Sequence, residues 1–169
     1  MADEVLIRPY QDGDPIPEIT AMLHRAYAPL AAAGMRYLAT HQDDATTLRR
    51  LTDGYSLVAE CGGRVVGVIS AYWGSPEEHC SYYRRENLVY FGQFGVDPSM
   101  QGMGLGRKLY NAIEDYVRCQ GAKEIALDTS ERATDLISLY RAWGFEVVGE
   151  VRWHEVNYRS VVMAKPMNV

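Results

Sequence analysis

The chain has 169 residues, 47% of them apolar and 23% charged, a balance that fills one hydrophobic core and excludes long-range disorder and fibrous classes. Its formal net charge of -5 repels phosphate backbones and anionic bilayer surfaces, so no nucleic acid and no membrane is expected as a partner, and protonated amines are favoured. The three cysteines, Cys61, Cys80 and Cys119, are odd in number and lack Cys-x-x-Cys spacing, which speaks against a disulfide frame or zinc knuckle and suits a reducing cytoplasm.

The acidic start Met1-Ala2-Asp3-Glu4 lacks the basic residues of a secretory leader, which predicts no signal peptide, and apolar runs such as 65–73 are too short to cross a bilayer. Residues 5–10 read as a first strand. A helix follows from Pro15 and Pro17 through Ile19, Met22, Leu23, Ala26 and Tyr27, with Pro29 as its expected end. A short second helix is expected over 46–51. Two Val-rich runs, 56–60 and 64–72, flank Cys61-Gly62-Gly63, a hairpin signal because tight turns need the positive φ that glycine accepts. Residues 74–86 form a polar loop with no regular element expected.

A strand is predicted over 88–96, although Gly92 and Gly95 lie inside it, where glycine marks a bulge or the close approach of another backbone or a ligand. Leu105, Leu109, Ala112, Ile113, Tyr116 and Val117 mark one face of a helix stopped by Gly121, and 124–129 reads as the next strand. A second helix over 133–143 closes at Gly144. Residues 147–153 and 158–164 end the chain as a strand pair. No internal repeat or linker interrupts residues 1–169, so a single domain is expected.

The sharpest local signal is Gln101-Gly102-Met103-Gly104-Leu105-Gly106-Arg107, between a strand end and a helix start. Glycines let a ligand approach the backbone, and the first amides of the helix are unpaired and lie at the positive end of its dipole, an arrangement that favours a pyrophosphate. A dinucleotide fingerprint fails because Arg107 occupies its last glycine position, and no Walker loop can be counted from Gly102 or Gly104.

The remaining pattern, Gln-x-x-Gly-x-Gly, resembles the acetyl-CoA signature of the GNAT family of N-acetyltransferases. Phe94-Gly95-Val96-Asp97-Pro98 is similar to the strand end that precedes that signature, and Leu139-Tyr140 with Gly144-Phe145 resembles the family's Leu-Tyr-x-x-x-Gly-Phe segment. Together these cover about a third of the chain. The resemblance implies an α/β (α+β) fold of the acyl-CoA N-acyltransferase type, with a mixed, mostly antiparallel sheet flanked by helices and splayed between strands 88–96 and 124–129. It implies acetyl-CoA as cosubstrate, its pantetheine arm on Phe94, Gly95 and Val96 and its pyrophosphate on Gly102 to Arg107. The reaction implied is acetyl transfer to a primary amine of a small molecule or protein.

Transfer needs a base for the ammonium proton and an acid for the leaving thiolate. Tyr140 matches the family acid. The family's asparagine seven residues earlier is Ala133 here, leaving Ser130, Arg132 or Thr134 as substitutes. Its strand glutamate is Gly92, so the base must come from elsewhere, with Asp128, Glu60, His79, His154 or a water relay through Gln93 as candidates. Tyr72, Trp73, Tyr82, Tyr83, Tyr90 and Trp153 are candidates for an aromatic acceptor pocket. The alternative reading is a catalytically idle acyl-CoA-binding module, against which Tyr140 argues. The sequence leaves a homodimer open.

Overall fold

A computed structural model describes residues 3–168; Met1 and Ala2, on which the expectation about a leader partly rests, lie outside the described residues. Seven strands form one sheet in the order β1-β2-β3-β4-β5-β7-β6, with β1 at Val5–Pro9, β2 at Tyr55–Cys61, β3 at Arg64–Trp73, β4 at Leu88–Val96, β5 at Glu124–Ser130, β6 at Glu146–Val151 and β7 at Ser160–Pro166. Four helices complete it, α1 at Ile16–Ala32, α2 at Asp44–Thr52, α3 at Leu105–Cys119 and α4 at Thr134–Ala142. Every strand pairing is antiparallel except β4 with β5. The β2–β3 hairpin turns on Gly62 and Gly63 at φ 57° and 76°, the left-handed pair that matches strand twist.

Alternation along the strands divides the core into two layers. Leu57, Ile69, Phe91, Ile125 and Met163 pack with Leu105, Leu109, Ile113 and Val117 of α3 on one face. Val58, Val65 and Val68 pack with Ile19, Met22 and Leu23 of α1 and Leu51 of α2 on the other.

Three helices end alike. After α4, Gly144 has φ 97°, its N–H donates to Arg141 O at 3.0 Å, and Phe145 N–H donates to Tyr140 O at 3.0 Å. This is a Schellman cap, whose hydrophobic contact is the Phe145 ring edge-to-face with Tyr140 at 6.0 Å. The Tyr-x-x-x-Gly-Phe spacing is thus the geometry of a helix end that seats the tyrosine against the core. Gly121 closes α3 in the same way.

Pro29 does not end α1, contrary to the sequence expectation. The helix runs on to Ala32 because proline removes only a donor, and its carbonyl still accepts from Ala33 N–H at 3.1 Å. Gly34 at φ 85°, with Met35 N–H donating to Leu30 O at 3.0 Å, provides the stop. The loop over 74–86 also holds a short 3-10 turn, Ser81–Arg84. Its Tyr83 is fully buried and stacks on Tyr90 with ring centroids 4.2 Å apart.

Strand β4 makes the functional opening. It pairs with β5 only over Leu88–Glu124, Val89–Ile125 and Tyr90–Ala126, while β5 stays paired with β7 along its whole length. Past Tyr90 the register of β4 against β3 shifts, and Gln93 takes φ 45°, a left-handed conformation rare for a side-chain-bearing residue. The bulge turns β4 away from β5 and leaves one of its edges without a strand partner.

Candidate active site

The Gly102 to Arg107 loop stands at the mouth of this opening. Gly102 and Gly104 have φ 79° and 72°, and a Cβ on either would meet nothing within 4 Å. Gly104 is the N-cap of α3, and the first amide to reach back to it is Lys108 N–H, 3.1 Å from Gly104 O. The amides of Leu105, Gly106 and Arg107 therefore precede any helical acceptor and remain available to an anion. Gly106 lies in regular helix, and a Cβ there would point to Phe94 Cζ at 3.7 Å and Val96 Cγ2 at 3.9 Å. Asp97 fixes the strand end, accepting from Ser99 N–H at 3.0 Å and pairing with Arg25 at 2.6 Å.

From the loop a cleft of about 1350 Å³ runs between the diverging strands. Phe94, Gly95, Val96, Gln101, Gly102, Gly104, Leu105, Gly106 and Arg107 line it, as does Tyr140. Met103 does not; its side chain points to solvent, 54% exposed. Gly95 lies close under α1, where a Cβ would come within 2.9 Å of Leu23 Cδ2 and 3.4 Å of Ala26 Cβ. Tyr27 closes one wall, its hydroxyl donating to Phe94 O at 2.7 Å.

Tyr140 projects into the cleft from α4. Its ring is held edge-to-face by Phe91 at 6.1 Å, Trp143 at 5.4 Å and Phe145 at 6.0 Å. Among the described residues its hydroxyl has no hydrogen-bond partner, and burial, reinforced by the Tyr27 and Tyr37 hydroxyls, pushes its pKa well up. The group stays protonated across the physiological range and can donate a proton to a base that forms beside it.

Asp128 lies within β5, on the part of the strand that β4 has left. Tyr83 Oη–H donates to its Oδ1 at 2.6 Å and Trp153 Nε1–H to its Oδ2 at 2.8 Å. Burial raises its pKa above the ordinary aspartate range, against the opposing effect of these two donors and of Arg50 nearby. The result is a fixed carboxylate of increased basicity facing the cleft.

Other base candidates are placed elsewhere. Glu60 pairs with Arg8 at 3.0 Å on the β1–β2 edge. His79 bonds the Arg152 carbonyl at 2.8 Å and packs against His154 at 5.6 Å, and neither lines the cleft. Gln93 lines the cleft from a buried position, its Oε1 accepting from Gln42 Nε2 at 2.8 Å. The stand-ins named for the family asparagine also lie elsewhere. Ala133 caps α4 without a side-chain bond, Ser130 Oγ accepts from Arg132 N–H at 3.1 Å, and Ser130, Arg132 and Thr134 lie outside the cleft lining. Of the aromatic set, Tyr72, Trp73, Tyr90 and Trp153 line the cleft, whereas Tyr82 and Tyr83 stand behind it.

Arg50, Tyr27, Tyr37, Tyr158, Glu78 and Glu155 also line the cleft, and no local motif marks them. Arg50 is the most informative. A Cβ on Gly92 would lie 3.4 Å from its Nη2, so a guanidinium occupies the space beside the position where the family carries its glutamate.

A helix start with free amides, a strand edge left unpaired, and a tyrosine and a carboxylate now stand in one cleft, the arrangement that the resemblance to an acyl-CoA-dependent acyltransferase implied. Residues 17–145 match the Acetyltransferase (GNAT) family, and the chain belongs to it. It is 26% identical over 142 residues to S-(2-succino)cysteine N-acetyltransferase of Bacillus subtilis (strain 168), covering 83% of this chain and 82% of that one. It is 26% identical over 133 residues to N-acetyltransferase 8F1 of Rattus norvegicus, covering 76% of this chain and 58% of the relative. The PaiA N-acetyltransferase from Thermoplasma acidophilum, solved in complex with coenzyme A, has the same fold, with a TM-score of 0.74 at 15% identity over 97% of this chain and 99% of that one. The protein is an acetyl-CoA-dependent N-acetyltransferase. No helix among the described residues is long and apolar enough to cross a membrane.

Proposed function

We propose that the cleft transfers an acetyl group from acetyl-CoA to the primary amine of a small molecule. The observation that carries this reading is the presence, in the cleft that begins at the glycine loop, of a protonated Tyr140 hydroxyl without a partner among the described residues and a fixed Asp128 carboxylate. In this reading the amides of Leu105 to Arg107 hold the pyrophosphate. The edge of β4 from Phe94 to Val96 holds the pantetheine amides in place of a neighbouring strand.

Acetyl-CoA supplies the thioester. Asp128, directly or through a water, accepts the proton that the ammonium must lose, and the neutral nitrogen forms its bond to the acetyl carbon as the carbon–sulfur bond breaks. Tyr140 gives its proton to the departing sulfur, the nitrogen sheds its second proton as the amide forms, and exchange with solvent returns one proton to Tyr140 and removes the other from Asp128. Aromatic walls at Tyr72, Tyr90 and Trp153 favour a compact acceptor, in keeping with the small amino-acid derivative named for the Bacillus relative. The three free cysteines support a cytoplasmic location.

The test is release of thiol from acetyl-CoA in the presence of amino acids, aliphatic amines and peptides with free N-termini, with the acetylated product identified by mass. Release is expected with at least one small amine, well above hydrolysis alone. Release equal to hydrolysis across the whole panel would reject the reading.

A further inference from the structure

The cleft contains a cation that acetyl transfer itself does not use. Arg50 leaves the last turn of α2, and its Nη1–H donates to Gln42 Oε1 at 2.7 Å. Gln42 is itself fixed, its Nε2 donating to Gln93 Oε1 at 2.8 Å and to Thr47 Oγ1 at 2.7 Å. The guanidinium is thereby aimed past Gly92 into the chamber. None of the ion pairs among the described residues includes Arg50, although Asp53, Glu78, Asp128 and Glu155 all line the same cleft. The other cation in the lining, Arg107, belongs to the glycine loop and packs over Trp143 at 4.9 Å.

A guanidinium has five donors in a planar fork that matches a carboxylate, and half-buried Arg50 spends one on Gln42, which leaves the fork open to an anion. Arg50 and Asp128 border one chamber, and their charges influence each other. The two together complement a zwitterion, with its ammonium toward Asp128 and its carboxylate toward Arg50. We propose that the acceptor is an α-amino acid and that Arg50 binds its carboxylate, placing the amine for attack. Tyr72, Tyr90 and Trp153 then form the wall against which the acceptor side chain packs. The absence of a side chain at Gly92 is part of this device, because a carboxylate there would pair with Arg50 and cancel the anion site. This inference rests on the N-acetyl transfer reading above and adds the acceptor class to it.

The experiment compares kcat/KM for matched acceptors, free phenylalanine and S-benzylcysteine against their primary amides, in the wild type, Arg50→Gln and Gly92→Glu. An amide also lowers the basicity of the neighbouring amine, so the readout is the change in the acid-to-amide ratio between proteins, in which intrinsic reactivity cancels. Arg50→Gln should lower that ratio by roughly tenfold or more, mainly through KM for the acid, as expected for loss of a charge-assisted pair. Gly92→Glu should shift it in the same direction with Arg50 still present. Retention of the acetyl-CoA-induced rise in melting temperature shows that each variant is folded, and if Arg50→Gln loses that rise, the Gly92→Glu ratio decides by the same criterion. A ratio within about threefold of wild type in the folded variants would overturn the proposal while leaving N-acetyl transfer intact. Failure of the wild type to acetylate any amine would overturn the transfer reading and this one with it.

Discussion

Replacing Tyr140 with phenylalanine should lower kcat by about 10²- to 10⁴-fold, the usual value of a positioned general acid, and leave acetyl-CoA affinity nearly unchanged. The ring is held by Phe91, Trp143 and Phe145 through contacts that do not involve the oxygen. The hydroxyl has no protein partner among the described residues, so its removal leaves no buried group unsatisfied and should cost little stability. Only the proton for the leaving sulfur is lost. The measurement is single-turnover acetyl transfer under saturating cosubstrate, where chemistry and not product release sets the rate. A wild-type rate in Tyr140→Phe would return the residue to a packing role at the end of α4.

Asp128→Asn should depress kcat/KM by about 10²-fold near neutral pH, and by much less where the free amine is abundant. An asparagine can keep both existing contacts, its oxygen accepting from Trp153 and its amide donating to the Tyr83 oxygen, so the fold should survive. What it cannot do is accept a proton. Burial raises the Asp128 pKa above that of an exposed aspartate, which makes the carboxylate a better base and moves its own protonation to higher pH. The acid limb of the wild-type profile should therefore begin above the ordinary aspartate value of about 3.9. The deficit of Asp128→Asn should narrow as pH rises toward the pKa of the amine. A profile parallel to wild type, with a small uniform drop, would remove Asp128 from proton transfer.

The parts of the fold that could be read in advance are those set by local chemistry. The hairpin at Gly62-Gly63, the start of α3 at Gly104 and the caps at Gly121 and Gly144 all depend on left-handed backbone, which glycine permits at low cost. Gly92 and Gly95 marked the bulge in β4 for the same reason, and the register of Tyr140 follows from the cap that Gly144 and Phe145 form.

The misread parts depend on partners distant in the chain. Pro29 looked like a helix end because its missing donor is visible in sequence, whereas the carbonyl that lets α1 continue is not. Tyr83 sits in a polar stretch, but Tyr90 and Asp128 recruit it to the interior. Arg50 reads as one more basic residue near the end of an exposed helix. Its place in the cleft depends on Gly92, across two strands, and on a buried network through Gln42 and Gln93 that no periodicity announces.

The central claim is that the opening between β4 and β5 binds acetyl-CoA at the start of α3. Thermal unfolding of the wild type and of Gly106→Val, with and without acetyl-CoA, tests it most directly. Gly106 is the suitable probe because it lies in regular helix, whereas Gly102 and Gly104 have positive φ and would be strained by any side chain. Acetyl-CoA at about a hundred times its dissociation constant should stabilise the wild type by roughly 2.7 kcal/mol. Gly106→Val should unfold near the temperature of the unliganded wild type and show little or no response, since its side chain fills the approach between the helix start and Phe94. A wild type that melts at the same temperature with and without saturating acetyl-CoA, or a Gly106→Val variant stabilised as much as the wild type, would contradict the account.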